Sequence, residues 1–285
     1  MKLRFLYITF IFAFTTVIGF SQTKKVADKK ITSIAGSDSA FKFIKFIPGD
    51  FIYVNVDMLD NIYLITAGNQ LKKFSSNGDS VAVFNDVKKY GNPSYIDVNN
   101  PLKILVYYKN YSTVVILDRL LTQRNTINLR KQSIFSVNAI ATSYDNNIWV
   151  FDEQDYKLKK ISEDGEILQE SSDMRQLTDS VPSPLQIIDS DNFVYLYDDK
   201  KGFYIFDYYG ALKNTLPFLN WTDVAISGNR MMGFSENKLF SYQVNSFNLK
   251  TYQLPAFFKD YNAIKAVNGK VYLLKKDGIE IYSVQ

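Results

Sequence analysis

Aspartates recur along this chain, each near the end of a short apolar stretch, and they are the side chains best suited to chemistry. Two unlike carboxylates can hydrolyse a glycosidic bond, and carboxylates together with Asn and Glu oxygens can hold calcium. A catalytic pair does not repeat at regular intervals, so the recurrence favours a structural role in which each Asp caps a tight turn. In that interpretation Asn61, Asn100, Asn147 and Asn192 occupy left-handed backbone positions. The recurring acids are Asp57, Asp60, Asp97, Asp145, Asp189 and Asp191.

Histidine and cysteine are absent from all 285 residues. Their absence excludes a Ser-His-Asp triad, a cysteine nucleophile, a zinc site of the ordinary type and a covalently attached haem. We therefore predict no catalytic residue, no metal site and no cofactor. The alternative is a carbohydrate-active or lactone-hydrolysing enzyme that works with carboxylates and calcium. Because the first Glu is Glu153, such an enzyme would take its Glu from the later part of the chain.

The elements that must position these acids form a repeat. Its clearest copy spans residues 144–167 and contains a turn, an aromatic-rich strand, a polar loop, a second strand and an Asp-Gly turn. Further copies cover residues 56–79 and 188–210, and weaker ones cover 96–118, 224–242 and 264–282. A period near forty with four short strands per period is typical of propeller blades. The second strands follow Asn61, Leu102, Asn147, Phe193, Arg230 and Lys270, which are 41, 45, 46, 37 and 40 residues apart.

The last repeat ends after its third strand, which would leave an open sheet edge. The segment 41–47, FKFIKFI, alternates apolar and basic residues and belongs to no repeat of its own. We expect it to pair with residues 279–284 and to close the ring. The sequence therefore predicts an all-β, six-bladed β-propeller whose last blade is closed by an N-terminal strand. Residues 41–285 would form this single domain, preceded by a polar leader at 22–40.

The repeats resemble those of NHL-type six-bladed propellers, in which an Asp, a Gly or Asn, an apolar-aromatic strand and a closing turn recur. Many such exported propellers are binding modules, so the resemblance implies a non-catalytic protein-binding or scaffold role, for example in a bacterial envelope assembly or secretion complex. The matching positions are Asp57, Asn61, Tyr63 and Gly78, then Asp145, Asn147, Trp149 and Asp164-Gly165, then Asp189, Asn192, Tyr195 and Gly210.

The N-terminus predicts export. Lys2 and Arg4 precede an apolar run over residues 5–20, and Gly19 and Ser21 are small residues at the positions a signal peptidase reads. We interpret residues 1–21 as a signal peptide, the alternative being a retained membrane anchor. Removing them takes away two basic residues and no acid, so the formal charge falls from +4 to +2 and gives no case for nucleic acid. Export without cysteine fits the periplasm or cell surface of a Gram-negative bacterium.

A partner-binding face is predicted on one side of the propeller, where two sets of loops lie together. One set joins strand four of a blade to strand one of the next, and the other joins strands two and three within a blade. Aromatic anchors within a polar rim suit a protein surface, and a monomer outside its complex is expected. The alternative is that individual rings fill the gaps between blades. Trp221 and Phe258 are the main candidates. The full set is Tyr90, Phe135, Asp152, Tyr156, Trp221, Phe257, Phe258 and Tyr261.

Overall fold

The computed structural model describes residues 31–34 and 41–284. Their strands form six sheets arranged as the blades of a propeller, each with four antiparallel strands, so the predicted fold class is confirmed. Short helical segments, such as α1 (Val87–Tyr90), lie only in the connections of this part of the chain. The predicted signal peptide and most of the polar leader lie outside the described residues.

The blades follow one another along the chain, with the first strand of each at the centre of the ring. Blade I contains β3 (Phe51–Val56), β4 (Ile62–Thr66), β5 (Leu71–Phe74) and β6 (Ser80–Phe84). Blade II contains β7 (Tyr95–Asn100), β8 (Lys103–Tyr108), β9 (Thr113–Asp118) and β10 (Gln123–Asn128). Blade III contains β11 (Ile140–Thr142), β12 (Ile148–Asp152), β13 (Lys157–Ile161) and β14 (Ile167–Glu170).

The second half of the ring has the same organisation. Blade IV contains β15 (Gln186–Ser190), β16 (Phe193–Asp198), β17 (Gly202–Asp207) and β18 (Leu212–Leu216). Blade V contains β19 (Thr222–Ser227), β20 (Arg230–Ser235), β21 (Lys238–Gln243) and β22 (Asn248–Gln253). Blade VI contains β23 (Ala263–Val267), β24 (Lys270–Lys275) and β25 (Gly278–Val284), with β2 (Phe41–Pro48) as its outer strand.

The ring closes as predicted. Strand β2 pairs antiparallel with β25, from Phe41 opposite Val284 to Pro48 opposite Gly278. Within β2, Ile47 is buried between blades VI and I, whereas Phe43 and Ile44 are exposed at the outer edge of the sheet. Strand β2, from before blade I, and strand β25, from the end of blade VI, therefore share one sheet.

One strand was not expected from the sequence. Residues Ile31–Ile34 form β1, which pairs in parallel with the outer strand of blade V and gives that sheet a fifth strand. This segment falls within the region predicted to be a weakly patterned leader. Its four residues are too few to show a clear period of two, which explains why the pattern was missed.

The core lies between the blades. Neighbouring blades cover both faces of the second and third strands, and in β8 and β12 every residue is buried. A separate apolar cluster fills each of the six junctions. Outer strands such as β6 and β14 are mostly exposed because only one neighbour covers them.

Candidate functional site

The recurring aspartates have two different roles. Asp57 caps its turn as predicted, because Oδ1 accepts hydrogen bonds from the Leu59 and Asn61 amides, both at 2.9 Å. Asp145 does the same more weakly for the Asn147 amide, at 3.3 Å. Asp97 and Asp189 instead reach the adjacent blade. The structural interpretation is thus confirmed for the first two acids, and an inter-blade role replaces turn capping for the other two.

The left-handed positions were predicted one residue too late. Asp60 has φ 61° and Asn146 has φ 62°, whereas Asn61 and Asn147, which follow them, have negative φ. Asn192 is left-handed as predicted, with φ 67°, and Asn100 is not. Asp and Asn both tolerate this conformation, so composition alone does not show which residue of an Asp-Asn or Asn-Asn pair adopts it.

Asp97 and Asp189 hold neighbouring blades together. Asp97 Oδ2 accepts a hydrogen bond from the Thr142 amide of blade III at 2.8 Å. Asp189 Oδ2 accepts one from Trp149 Nε1 at 2.8 Å, and its Oδ1 accepts one from the Tyr208 hydroxyl at 2.6 Å. Both acids thus satisfy donors that would otherwise be left unpaired.

A side-chain hydrogen bond of this kind occurs at every junction between two blades. A polar side chain from a first strand, or from the turn after it, bonds to the adjacent blade, usually to its backbone. Five of these bonds join partners some forty residues apart in sequence, and the bond that closes the ring joins Asn268 to Met58. In order around the ring these side chains are Asn55, Asp97, Asp189, Gln186, Asp223 and Asn268.

A channel of about 970 Å³ lies along the ring axis. First-strand residues of blades I, II, IV, V and VI line it, and it contains an ion pair between Asp223 of blade V and Lys265 of blade VI. Burial alone would lower the pKa of Lys265, but Asp223 and Tyr53 outweigh burial, so the pKa is raised and the ammonium stays charged. The phenols of Tyr53 and Tyr95 face the same cluster of charges, and burial is the main cause of their raised pKa values.

The three acids that line the channel are committed to the fold. Asp57 caps its own turn. Asp97 holds blade III, and Asp223 Oδ2 accepts a hydrogen bond from the Ala266 amide at 3.1 Å while its other oxygen faces Lys265. Within residues 31–34 and 41–284, no group of three or more acids is arranged to hold a metal ion. No helix in that part of the chain is long and apolar enough to cross a membrane.

The upper face is defined here by the loops between strands two and three and by the connections from one blade to the next. It carries the residues predicted to bind a partner. Trp221 is 5% exposed and stacks on Phe218, with ring centroids 4.7 Å apart, and Phe258 is 2% exposed and contacts Phe41 edge-on at 4.9 Å. Both main candidates therefore fill gaps between blades, which is the alternative interpretation of these rings.

Most of the other predicted rings also pack against the core. Tyr90 is buried beside Tyr108 of blade II, at 5.2 Å between ring centroids. Phe257 and Tyr261 are partly buried and pack on the cluster between blades V and VI. Phe135 is the exception, because half of its surface is exposed.

The predicted loop 152–156 is held by ion pairs. Asp152 is fully buried and pairs with Lys159 at 2.9 Å, and Asp155 pairs with the same ammonium at 2.5 Å. Tyr156 has φ 55°, packs against the core of blades III and IV, and lies beside the Arg175 guanidinium. Only Asp155 of the two acids is accessible from outside.

The lower face, formed by the turns between strands one and two and between strands three and four, carries the most exposed apolar surface. Exposure ranges from 89% for Tyr209 to 62% for Leu59 and Tyr144. Sequence reasoning missed this face because these residues occur in turns, where the repeat pattern drew attention only to Asp, Asn and Gly. The six most exposed large apolar or aromatic residues of the described chain all lie there: Tyr209, Phe247, Met58, Leu102, Leu59 and Tyr144.

Contacts between turns link part of this lower face into one surface. The Asn100 amide donates to Asn146 Oδ1 at 2.9 Å and joins the turn of Leu102 to that of Tyr144. Tyr144 in turn stacks on Tyr208 of blade IV, with centroids 4.3 Å apart and planes 10° from parallel. The exposed Tyr144 ring is therefore held in a fixed position relative to blades II and IV.

Comparison with known proteins agrees with this architecture. No family model and no curated protein matches the chain. Among solved structures, the Neurospora crassa Pan2 WD40 domain is 9% identical, with a TM-score of 0.63 over 87% of this chain and 97% of that one. Virginiamycin B lyase from Staphylococcus aureus is 13% identical, with a TM-score of 0.58 over 86% and 89% of the two chains. The chain is a six-bladed β-propeller.

PorZ from Porphyromonas gingivalis, described as a surface component of the type-IX secretion system, is 12% identical with a TM-score of 0.53. The match covers 86% of this propeller but only 38% of PorZ. At such identities the likenesses show the fold alone, and function depends on the site. The NHL-type resemblance stays at the level of the repeat motifs.

Proposed function

We propose that this propeller is a non-catalytic scaffold that binds a protein partner through its lower face. The observation that supports this most is the concentration there of the six most exposed large apolar or aromatic residues in the described chain. An apolar patch on a soluble protein is costly to leave in water and commonly marks an interface. Tyrosine, as at Tyr144 and Tyr209, is one of the residue types that contribute most at the centre of such interfaces.

The chemistry of the chain favours binding over catalysis. The Staphylococcus aureus lyase structure is of a histidine-to-alanine variant described as catalytically inactive, and this propeller has no histidine. The channel acids Asp97 and Asp223 already hold neighbouring blades, and Asp57 caps its own turn. A carboxylate mechanism would have to release one of these acids from the hydrogen bonds that hold the fold.

The proposed setting is the bacterial envelope, in the periplasm or at the cell surface. Its support is the predicted signal peptide at residues 1–21, the absence of cysteine, and the likeness in fold to PorZ and to the extracellular domain of a Bacteroides thetaiotaomicron two-component system. The protein would carry out its scaffold role there.

The experiment compares three forms of the tagged propeller in affinity purification from the native envelope with mass spectrometry. The test variant carries Leu102→Ser, Tyr209→Ser and Phe247→Ser on the lower face. The matched control carries Phe135→Ser and Leu219→Ser, which are exposed on the upper face. We expect the parent and the control to recover the same partner and the test variant to lose it.

Each variant is first checked for an unchanged melting temperature, because these side chains contribute little to the core. Recovery of the partner by the lower-face variant, or its loss only in the upper-face control, would contradict the proposal. Light scattering on the purified protein excludes a second copy of the chain as the partner if the parent stays monomeric.

A further inference from the structure

The channel has an asymmetric polar wall. A β-bulge shifts the register between β19 and β20 at Thr222 to Ala225, and within it Asp223 has φ 48°. Left-handed backbone inside a strand is uncommon for a residue other than glycine, and bulges of this kind often re-aim a side chain at a functional site. Here the bulge is associated with an acid that lines the channel opposite the phenols of blades I and II.

A side cleft meets the channel at this acid. The cleft has a volume of about 330 Å³, lies between blades IV and V, and is lined by Tyr197, Asn220 and Trp221. Its lining shares Gln186 and Asp223 with the channel. The channel alone is at the upper end of the range for small-molecule sites, about 300–1,000 Å³.

The polar groups of the channel wall include hydrogen-bond donors and acceptors that the described chain does not use. Lys265 has three N–H groups, and within the described part of the chain Asp223 is its one ion-pair partner. The Tyr95 hydroxyl makes no hydrogen bond to the rest of the described chain, although it is partly buried and lines the channel. Tyr53 donates to the Ile96 carbonyl at 3.3 Å and keeps its lone pairs. The wall therefore offers donors and acceptors side by side.

The charges decide which ligand fits. An anion would meet Asp57, Asp97 and Asp223, which outnumber the Lys265 ammonium in the channel lining, and a cation would meet that ammonium. A hydroxyl group suits the site best because it both donates and accepts. Apolar side chains between the polar groups, including Ile52, Leu185 and Ile264, can contact the C–H faces of a sugar ring.

We propose that the channel binds a short neutral oligosaccharide, with Lys265 and Tyr95 as donors and Asp223 as an acceptor. This site is separate from the exposed rings of the lower face and does not depend on the scaffold role. Tyr95→Phe removes one hydroxyl that no described residue uses, so it tests the site without disturbing the ring.

Calorimetric titration of the whole exported chain with maltotriose, cellotriose and triacetylchitotriose provides the test. We expect saturable binding of at least one of them, weakened about fivefold by Tyr95→Phe, since one hydrogen bond is worth about 1 kcal/mol. Lys265→Met should weaken it further. Tyr111→Phe, an exposed tyrosine of the upper face, should leave the affinity unchanged.

Three results would overturn the assignment. The first is no binding of any of the three sugars at millimolar concentration. The second is binding that both channel variants retain at full strength while their melting temperatures match the parent. The third is tighter binding of trigalacturonic acid, a charged trisaccharide, than of every neutral one.

Discussion

Trp221 stacks on Phe218 with the two ring planes 8° from parallel, and both rings are buried between blades IV and V. Phe240 of blade V covers the tryptophan from a centroid distance of 5.5 Å. Gly233 lies directly beneath the indole, where a Cβ would come within 2.7 Å of it. This ring is therefore a core residue at the upper face rather than a free anchor.

Trp221→Ala should destabilise the propeller by about 3–5 kcal/mol, because it removes a large buried ring and leaves a cavity. Urea unfolding followed by circular dichroism measures the loss. Phe135→Ala, on the same face but half exposed, should change the free energy of unfolding by no more than about 0.5 kcal/mol. Equal effects of the two substitutions would contradict the packing described here.

Deleting residues 41–48 should abolish cooperative unfolding at the parent temperature. The deletion removes β2, exposes the edge of β25 and uncovers Ile47's neighbours in the junction between blades VI and I. A thermal melt with light scattering detects both the lower midpoint and the expected association. A control with Ile44→Ser, at an exposed position of the same strand, should melt near the parent temperature, and a deletion variant that does the same would disprove closure by this strand.

Lys159→Met should cost about 3–5 kcal/mol, because it leaves the fully buried Asp152 without its counter-charge. Adding Asp152→Leu to that variant should restore part of the stability, since no uncompensated charge then remains. Chemical unfolding of the single and double variants measures both effects. Lys200→Met at an exposed position is the matched control. Failure of the second substitution to recover any stability would argue against a charge effect.

Asp145 should stabilise the protein only above acidic pH. Burial acts to raise the pKa of this carboxyl, but hydrogen bonds from Lys160, Ser143 and Asn147 outweigh it and lower the pKa to about 2. An unfolded Asp titrates near pH 3.9, so the contribution is complete above about pH 4 and is lost as the pH falls through about 2. Asp145→Asn should therefore be less stable at neutral pH, by no more than about 1 kcal/mol at this partly exposed site.

Unfolding at several pH values between 6 and 2 distinguishes this effect from a general loss of stability. The difference between Asp145→Asn and the parent should shrink below about pH 4 and disappear near pH 2. Asp164→Asn, in an exposed turn nearby, serves as the control and should show no such convergence. A difference for Asp145→Asn that is constant over the whole range would contradict the assignment.

Strand positions could be predicted closely because their signals are local. The closing strand, predicted at residues 41–47 and found at Phe41–Pro48, lies within one residue of its predicted bounds, since its alternating apolar residues encode it directly. The inter-blade bonds of Asp97 and Asp189 could not be predicted in this way. Each joins residues some forty positions apart whose approach depends on the packed ring.

The sequence by itself determined the number of blades, the strand that closes them and the absence of histidine and cysteine chemistry, because these follow from composition and from patterns within forty residues. Only the tertiary structure decided which aromatic rings are exposed. Trp221 and Tyr209 occur in connections of similar polarity, yet one is 5% and the other 89% exposed. The physical reason is that burial of a loop residue depends on the neighbouring blade, and no local pattern records where that blade lies.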